Sequence, residues 1–417
     1  MSNLQRTILK NRLPPTIPGG RIGRSDSFKK SRIRDFKPTL WSDFFAEKED
    51  VILDQNRTFR VYRTKLPQKA GPVLLLLHGG GYSGLTWSHF CVEITRIINC
   101  QCLAVDLRGH GDTKTEQEDD LSSDTLAQDI GDLVLKLYTE DIPPIYLVGH
   151  SMGGAIAVHI AHKALIPSII GITVIDVVEG TAMEALASMQ SFLRSRPTHF
   201  KSIPNAIEWC IRSGQIRNVD SAKVSMPGQI INCTTKQLAT NELPLADDDI
   251  DDGAAGSCFT HPFSISEDEE MGNDNGTGPT TSVVATTASG SENDSSSDST
   301  DFKKPCTIPD DTHKRYTWRI DLSKSEKYWV GWFTGLSEKF LNLRVPKQLL
   351  LASIDGLDKA LTVGQMQGRF QMQVLARCGH AVHEDRPYEV AEVISGYLIR
   401  NRFAEAVGEF HYHLPAC

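Results

Sequence analysis

Residues 145–155 read IYLVGHSMGGA, an apolar run that ends in Ser151 with Gly149 and Gly153 two positions to either side. A serine in a G-x-S-x-G setting, between an expected strand and an expected helix, sits on a sharp turn that lifts its hydroxyl clear of the sheet as a nucleophile for acyl transfer. Strand and helix approach closely at such a turn, and only small residues fit there, which is what the two glycines supply. The turn also puts the amide of Met152 at the start of the next helix, where an N–H can hold a developing oxyanion. Upstream, LLLLHGGGYSG carries a strand into His78, Gly79, Gly80 and Gly81. Glycines let backbone N–H groups face a bound carbonyl, so Gly80 or Gly81 is expected to complete the oxyanion hole. No Lys-Ser or Lys-Thr pair follows to make this a nucleotide loop.

A serine nucleophile needs a histidine base and an acid to orient it, here in the chain order Ser, acid, His. His380 in VLARCGHAVHEDRP follows the last expected strand and is preferred over His383, three residues on. His78, His110 and His150, each beside a glycine, are read as residues that hold loops in shape. Two places suit the acid: Asp176 at the end of ITVID, and Asp355 or Asp358 after KQLLLAS. Pattern alone leans to Asp355, leaving the other site as a turn residue that caps a strand end. With these groups converged, His380 takes the proton of Ser151, which attacks an ester carbonyl. The same histidine protonates the departing alkoxide, and water then clears the acyl-enzyme. This chemistry calls for no metal and no organic cofactor.

The elements that must position these residues alternate. TFRVYRT, PVLLLLH, QCLAVDLRG, IYLVGH, IIGITVIDVV, KQLLLASID and QMQVLA read as strands, and helical spacing separates most of them. The pattern predicts an α/β fold with a mostly parallel central sheet flanked by helices. It also divides the chain. Residues 1–37, with 10 basic and 2 acidic residues, are expected to be a disordered arm. The core is expected over 38–180 and 346–417, and a helical cap over 181–236 and 313–345. Residues 237–312 are expected to be a disordered acidic, Ser-rich loop; between Lys236 and Lys303 there is no Lys or Arg but there are 15 Asp and Glu. Lengthening a flexible loop from about 15 to about 65 residues costs only about 1.3 kcal/mol of closure entropy.

The net charge of −8 is therefore the sum of a basic arm, an acidic insert and a core close to neutral. A near-neutral core argues against nucleic acid as a partner. No apolar run approaches the roughly 18 residues of a membrane span, and the start lacks the apolar stretch of a secretory signal. Nine cysteines, an odd number without CxxC spacing, are expected to be reduced thiols in a cytoplasmic protein. FKKSRIR could add a nuclear-import patch, a solvated tail being the plainer reading. A monomer is expected.

Beyond these general motifs, the sequence resembles the protein phosphatase methylesterase family. EDVILDQNRTFRVYR, GPVLLLLHGGG, LVGHSMGGAIAVH, IDVVEGTAMEAL, NAIEWCIRSGQIRN, YTWRIDLSKSEKYWVGWF and CGHAVHEDRP carry the likeness, over about Asp35 to Lys236 and Tyr316 to Cys417. The resemblance implies an α/β-hydrolase fold. It implies an activity that removes the methyl ester from the C-terminal leucine of the protein phosphatase 2A catalytic subunit, with that subunit and its holoenzymes as partners. It assigns Ser151 as nucleophile, His380 as base and, in place of the lean to Asp355, Asp176 of IDVVEG as acid. DLRGHGDT departs from the family pattern by a glycine in place of serine, in a loop expected to lie away from the nucleophile, and the acidic insert is long for the family. Two other readings stand beside this one: a general carboxylesterase or lipase for small esters, and a phosphatase-binding hydrolase fold that acts mainly as an inhibitor subunit. Trp329 and Trp332 could line an acyl pocket or dock a partner, plain packing being the simpler role.

Overall fold

The four leucines of PVLLLLH are wholly buried. They alternate between two cores, Leu75 and Leu77 facing one and Leu74 and Leu76 the other. A strand that is apolar at every position must be covered on both faces, and this one lies at the middle of the molecule. The computed structural model describes residues 35–243, 315–353 and 357–409. Most of the expected basic arm, most of the acidic insert and the candidate acid Asp355 lie outside the described residues.

The main sheet is built from β1 (Glu47–Asp54), β2 (Arg57–Arg63), β3 (Val73–Leu77), β4 (Gln101–Val105), the short β5 (Lys114–Thr115), β6 (Ile145–His150), β7 (Ile169–Ile175), β11 (Lys347–Leu351) and β12 (Gln371–Val374). Its order is β1-β2-β4-β3-β6-β7-β11-β12, with β5 paired to β2. The pairings of β1, β4 and β5 with β2 are antiparallel, and from β4 to β12 every neighbouring pair is parallel. Parallel neighbours need crossovers, which the helices provide. The helices are α1 (Ser88–Ile97), α2 (Ser123–Leu137), α3 (Met152–His162), α4 (Glu179–Ser195), α5 (Ile203–Arg212), α6 (Val219–Ser225), α7 (Glu326–Phe333), α8 (Leu336–Asn342), α9 (Lys359–Met366) and α10 (Pro387–Arg400). The start of α2 is legible: the Ser122 hydroxyl accepts from the Thr125 amide, one of the donors a helix leaves free at its first turn. Helix α3 is buried from Met152 to Ile160, as a helix apolar on nearly every side must be.

The cap differs from the mostly helical expectation. β8 (His199–Phe200), β9 (Ile230–Asn232) and β10 (Tyr316–Trp318) form a small antiparallel sheet with β10 in the middle. Tyr316 is opposite both Phe200 and Asn232, and the Cys233 amide donates to Arg315 O at 2.8 Å. The chain therefore re-enters beside the point it left, so a long insert is accommodated without parting the cap. The described chain also runs past the expected boundary at 237. Leu238, Ala239 and Thr240 are buried, and the Glu242 carboxylate accepts from Tyr316, Asn232 and Thr235. Trp332 fastens the cap to the core, its indole N–H donating to Leu121 O at 2.6 Å.

A buried polar chain crosses three strands. Thr173 Oγ1 on β7 lies 2.7 Å from the Tyr146 hydroxyl on β6 and 3.0 Å from Gln348 Oε1 on β11. All three residues are fully buried, so removing the middle hydroxyl strands both partners. Thr173→Val is expected to lower the unfolding free energy by about 1–3 kcal/mol, read as a lower urea midpoint at constant slope. An unchanged midpoint would show that the chain contributes nothing.

Candidate active site

Ser151 joins β6 to α3 with φ 52° and ψ −120°, a backbone state that costs an L residue about 1–3 kcal/mol. The surrounding contact enforces it. A Cβ on Gly149 would lie 2.3 Å from Gly153 O, and one on Gly153 would lie 2.3 Å from Leu77 O. Three backbone segments thus meet with no room for a methyl group. The elbow points Ser151 into a cavity of about 600 Å³ that also reaches Gly80, Met152, Asp176 and His380.

The glycine turn after β3 is held by two histidines. The Leu107 amide donates to His78 Nε2 at 3.0 Å, so His78 Nδ1–H donates to Gly79 O at 2.8 Å. The Gly81 amide donates to His110 Nε2 at 2.9 Å, while His110 Nδ1–H donates to Arg108 O. This narrows the choice between the two glycines. The Gly81 N–H is already engaged by His110, and of the two glycines only Gly80 keeps an amide without such a partner among the described residues. It also changes the expectation for DLRGHGDT: through His110 that loop holds the glycine turn that lines the cavity with Ser151.

His380 Nδ1–H donates to Asp176 Oδ2 at 2.8 Å. Asp176 Oδ1 accepts from the Ala352 amide at 2.9 Å, so both carboxylate oxygens are aimed. Burial alone would raise the Asp176 carboxyl, but the hydrogen bond and charge of His380, the Ala352 amide and His150 together hold it below its ordinary value. Among the described residues no hydrogen bond joins Ser151 Oγ to His380, whose side chain is 55% exposed. His150 Nε2–H donates to the His380 carbonyl at 2.8 Å and so braces the loop that carries the imidazole. All three loop-holding histidines are buried, and burial lowers their pKa values, that of His110 to about 4.

The competing residues have other work. His383 is buried against Trp87, with Nε2 2.9 Å from Thr86 Oγ1, and burial lowers its pKa to about 3. Asp358 caps α9, accepting from the Leu361 amide at 2.8 Å and from the Ser337 hydroxyl. Trp329 and Trp332 are each 2% exposed and both line the cavity, combining packing with a pocket wall. Two contributors were invisible in the sequence. The Ala352 amide belongs to a backbone position no side-chain pattern marks, and Arg196 in SFLRSRP reads as an ordinary helix-end basic residue.

A serine elbow, a glycine turn and an Asp–His pair, gathered at the C-terminal ends of parallel strands, define an α/β hydrolase. A sequence model described as the alpha/beta hydrolase family matches residues 74–229. Among solved structures, E-2-(acetamidomethylene)succinate hydrolase shares the fold at a TM-score of 0.55 and 15% identity, covering 85% of this chain and 99% of that one. An esterase of Mycobacterium tuberculosis does so at 0.50 and 17%, covering 85% and 91%. Closer in sequence is protein phosphatase methylesterase 1 of Homo sapiens, 48% identical over the full length of both chains. The probable protein phosphatase methylesterase 1 of Caenorhabditis elegans is 40% identical, covering 97% of this chain and 87% of its own. The chain belongs to the protein phosphatase methylesterase family and is a carboxylic ester hydrolase.

Behind the site, burial raises the Glu384 carboxyl from its ordinary 4.5 to about 8, against hydrogen bonds from Thr86 and Ser225. A group that holds its proton more tightly when folded contributes stability in full below the lower value and loses it as pH rises through the upper. The stability advantage of wild type over Glu384→Gln is therefore expected to shrink from about pH 4.5 to about pH 8 in paired urea titrations. A pH-independent difference would refute the buried neutral acid.

Proposed function

We propose that this chain demethylates the C-terminal leucine methyl ester of the protein phosphatase 2A catalytic subunit, alone or in its holoenzymes, through an acyl-enzyme on Ser151. The observation that carries the chemistry is the convergence of Ser151 and the Asp176–His380 pair on one apolar-walled cavity. The substrate is suggested by the names of the relatives.

In this reading the ester enters with its leucine side chain against Met189, Leu193, Trp329 and Phe333, which line the same cavity. His380 accepts the Ser151 proton as the hydroxyl attacks, and Asp176 stabilises the imidazolium that forms. The oxyanion is held by the amides of Met152 and Gly80. His380 then protonates methoxide, methanol leaves, and a water deprotonated by His380 releases the carboxylate. An apolar side-chain pocket suits a small ester as well as a protein tail. Selectivity for the phosphatase would come from contacts remote from the ester that position it.

Ser151→Ala is expected to abolish hydrolysis while leaving the urea midpoint near that of wild type. Full retained activity would overturn the mechanism. Asp176→Asn is expected to lower kcat by about 10³–10⁴-fold through loss of imidazole orientation. A change below tenfold would place the acid elsewhere. Comparing the methylated phosphatase with a short peptide methyl ester separates the readings. A higher kcat/KM for the protein supports the phosphatase reading, and a preference for the small ester supports a general carboxylesterase.

A further inference from the structure

Arg196, which follows α4, lines the cavity that holds Ser151. Its guanidinium carbon lies 3.3 Å from the centre of the Trp318 ring. Its Nη1 is 3.9 Å from the point where Gly81 would carry a Cβ. Its Nε is buried without a hydrogen-bond partner, and no carboxylate pairs with the side chain among the described residues. The platform beneath it is rigid. The Trp318 indole N–H donates to Pro197 O at 2.7 Å, and the ring packs edge-on against Phe200 and Trp209.

Stacking on an aromatic face satisfies the π side of a guanidinium but none of its in-plane donors. Burial lowers the Arg196 pKa to about 10, which still leaves the group charged at neutral pH. Buried polar atoms are ordinarily paired, yet here Nε of Arg196 and Oε1 of Gln215 are buried without a partner, and both residues line the same cavity. Gln215 is itself held in place, its Nε2 donating to Gln229 Oε1 at 3.0 Å. An aliphatic acyl group has no use for a cation. A peptide offers both missing partners, an amide N–H for Gln215 and a carboxylate for Arg196.

We propose that Arg196 is a carboxylate-recognition residue of the substrate pocket, receiving a carboxylate carried by the peptide that ends in the scissile ester. This rests on the esterase reading above and adds a selectivity to it. The carboxylate has two sources: an acidic side chain upstream of the ester, or the terminal carboxylate that hydrolysis sets free.

The test uses the full-length chain and N-acetylated tetrapeptide methyl esters ending in leucine. One Asp is placed first, second or third before the leucine, each peptide against its Asn counterpart. With an upstream side chain as source, wild type favours one Asp peptide by about tenfold in kcat/KM, the value of one charge-assisted bond. Arg196→Met brings that ratio to about one, and Arg196→Lys keeps part of it. With the released carboxylate as source, the ester ratios stay near one, and the free-acid Asn peptide inhibits with a Ki that Arg196→Met raises about tenfold. Ratios and Ki unmoved by Arg196→Met, with all ester rates falling together, would overturn the proposal and leave Arg196 as packing on Trp318. A wild type that prefers no Asp peptide and is not inhibited by the free acid overturns it without recourse to any variant. A wild type that hydrolyses none of the esters overturns both this and the serine-esterase reading.

Discussion

The closeness of three backbones around Ser151 governs the rest of the structure. At the elbow β6 and α3 touch through Gly149 and Gly153, and α3 in turn rests on the last residue of β3. No side chain fits in these contacts, so the serine cannot relax into an ordinary turn. The strain is sustained because β3, β6 and α3 are each buried in a continuous core. The same contact brings the glycine turn alongside the elbow, since that turn begins where β3 ends. Serine elbow, helix start and glycine turn are thus consequences of a single packing event.

Around this contact the loops are braced by neutral histidines. Each of His78 and His110 uses one ring nitrogen as donor and the other as acceptor, which only the neutral ring can do. Burial favours that neutral form. His150 does the corresponding job for the loop of His380, through a carbonyl rather than through the imidazole. The half-exposed His380 is the one that faces the cavity and the Asp176 carboxylate. Burial therefore separates the histidines that hold loops in shape from the half-exposed one beside Asp176.

The cap supplies what the core lacks, an apolar wall for the cavity and a charge. α4 and α7 bring apolar side chains over the elbow, and Arg196 adds a buried cation on the Trp318 platform. Trp318 reaches that position because β10 returns between β8 and β9 after the long insert. One side of the pocket therefore depends on a strand pairing between segments more than a hundred residues apart.

Much of this was legible in the chain. The leucine run of β3 announced a strand covered on both faces, and the G-x-S-x-G run announced the elbow. Each signal is local, carried by residues within a few positions of one another. Other features were not legible. Asp176 and Asp355 both follow apolar strands, and no pattern within either segment says which carboxylate meets the imidazole. Folding places Asp176 at 2.8 Å from His380, across more than two hundred positions. Gly80 and Gly81 are equivalent on paper, and they differ because His110, from another loop, takes the Gly81 amide. The short cap strands carry too few residues to show a period. The amino-acid sequence alone determined the strands from β2 to β4, β6, β7, β11 and β12 and the elbow, because backbone preference and apolar periodicity act over a few residues. The partners of Asp176, the engaged Gly81 amide and the buried arginine were decided by the tertiary structure, because a hydrogen bond depends on distance in space and not on separation along the chain.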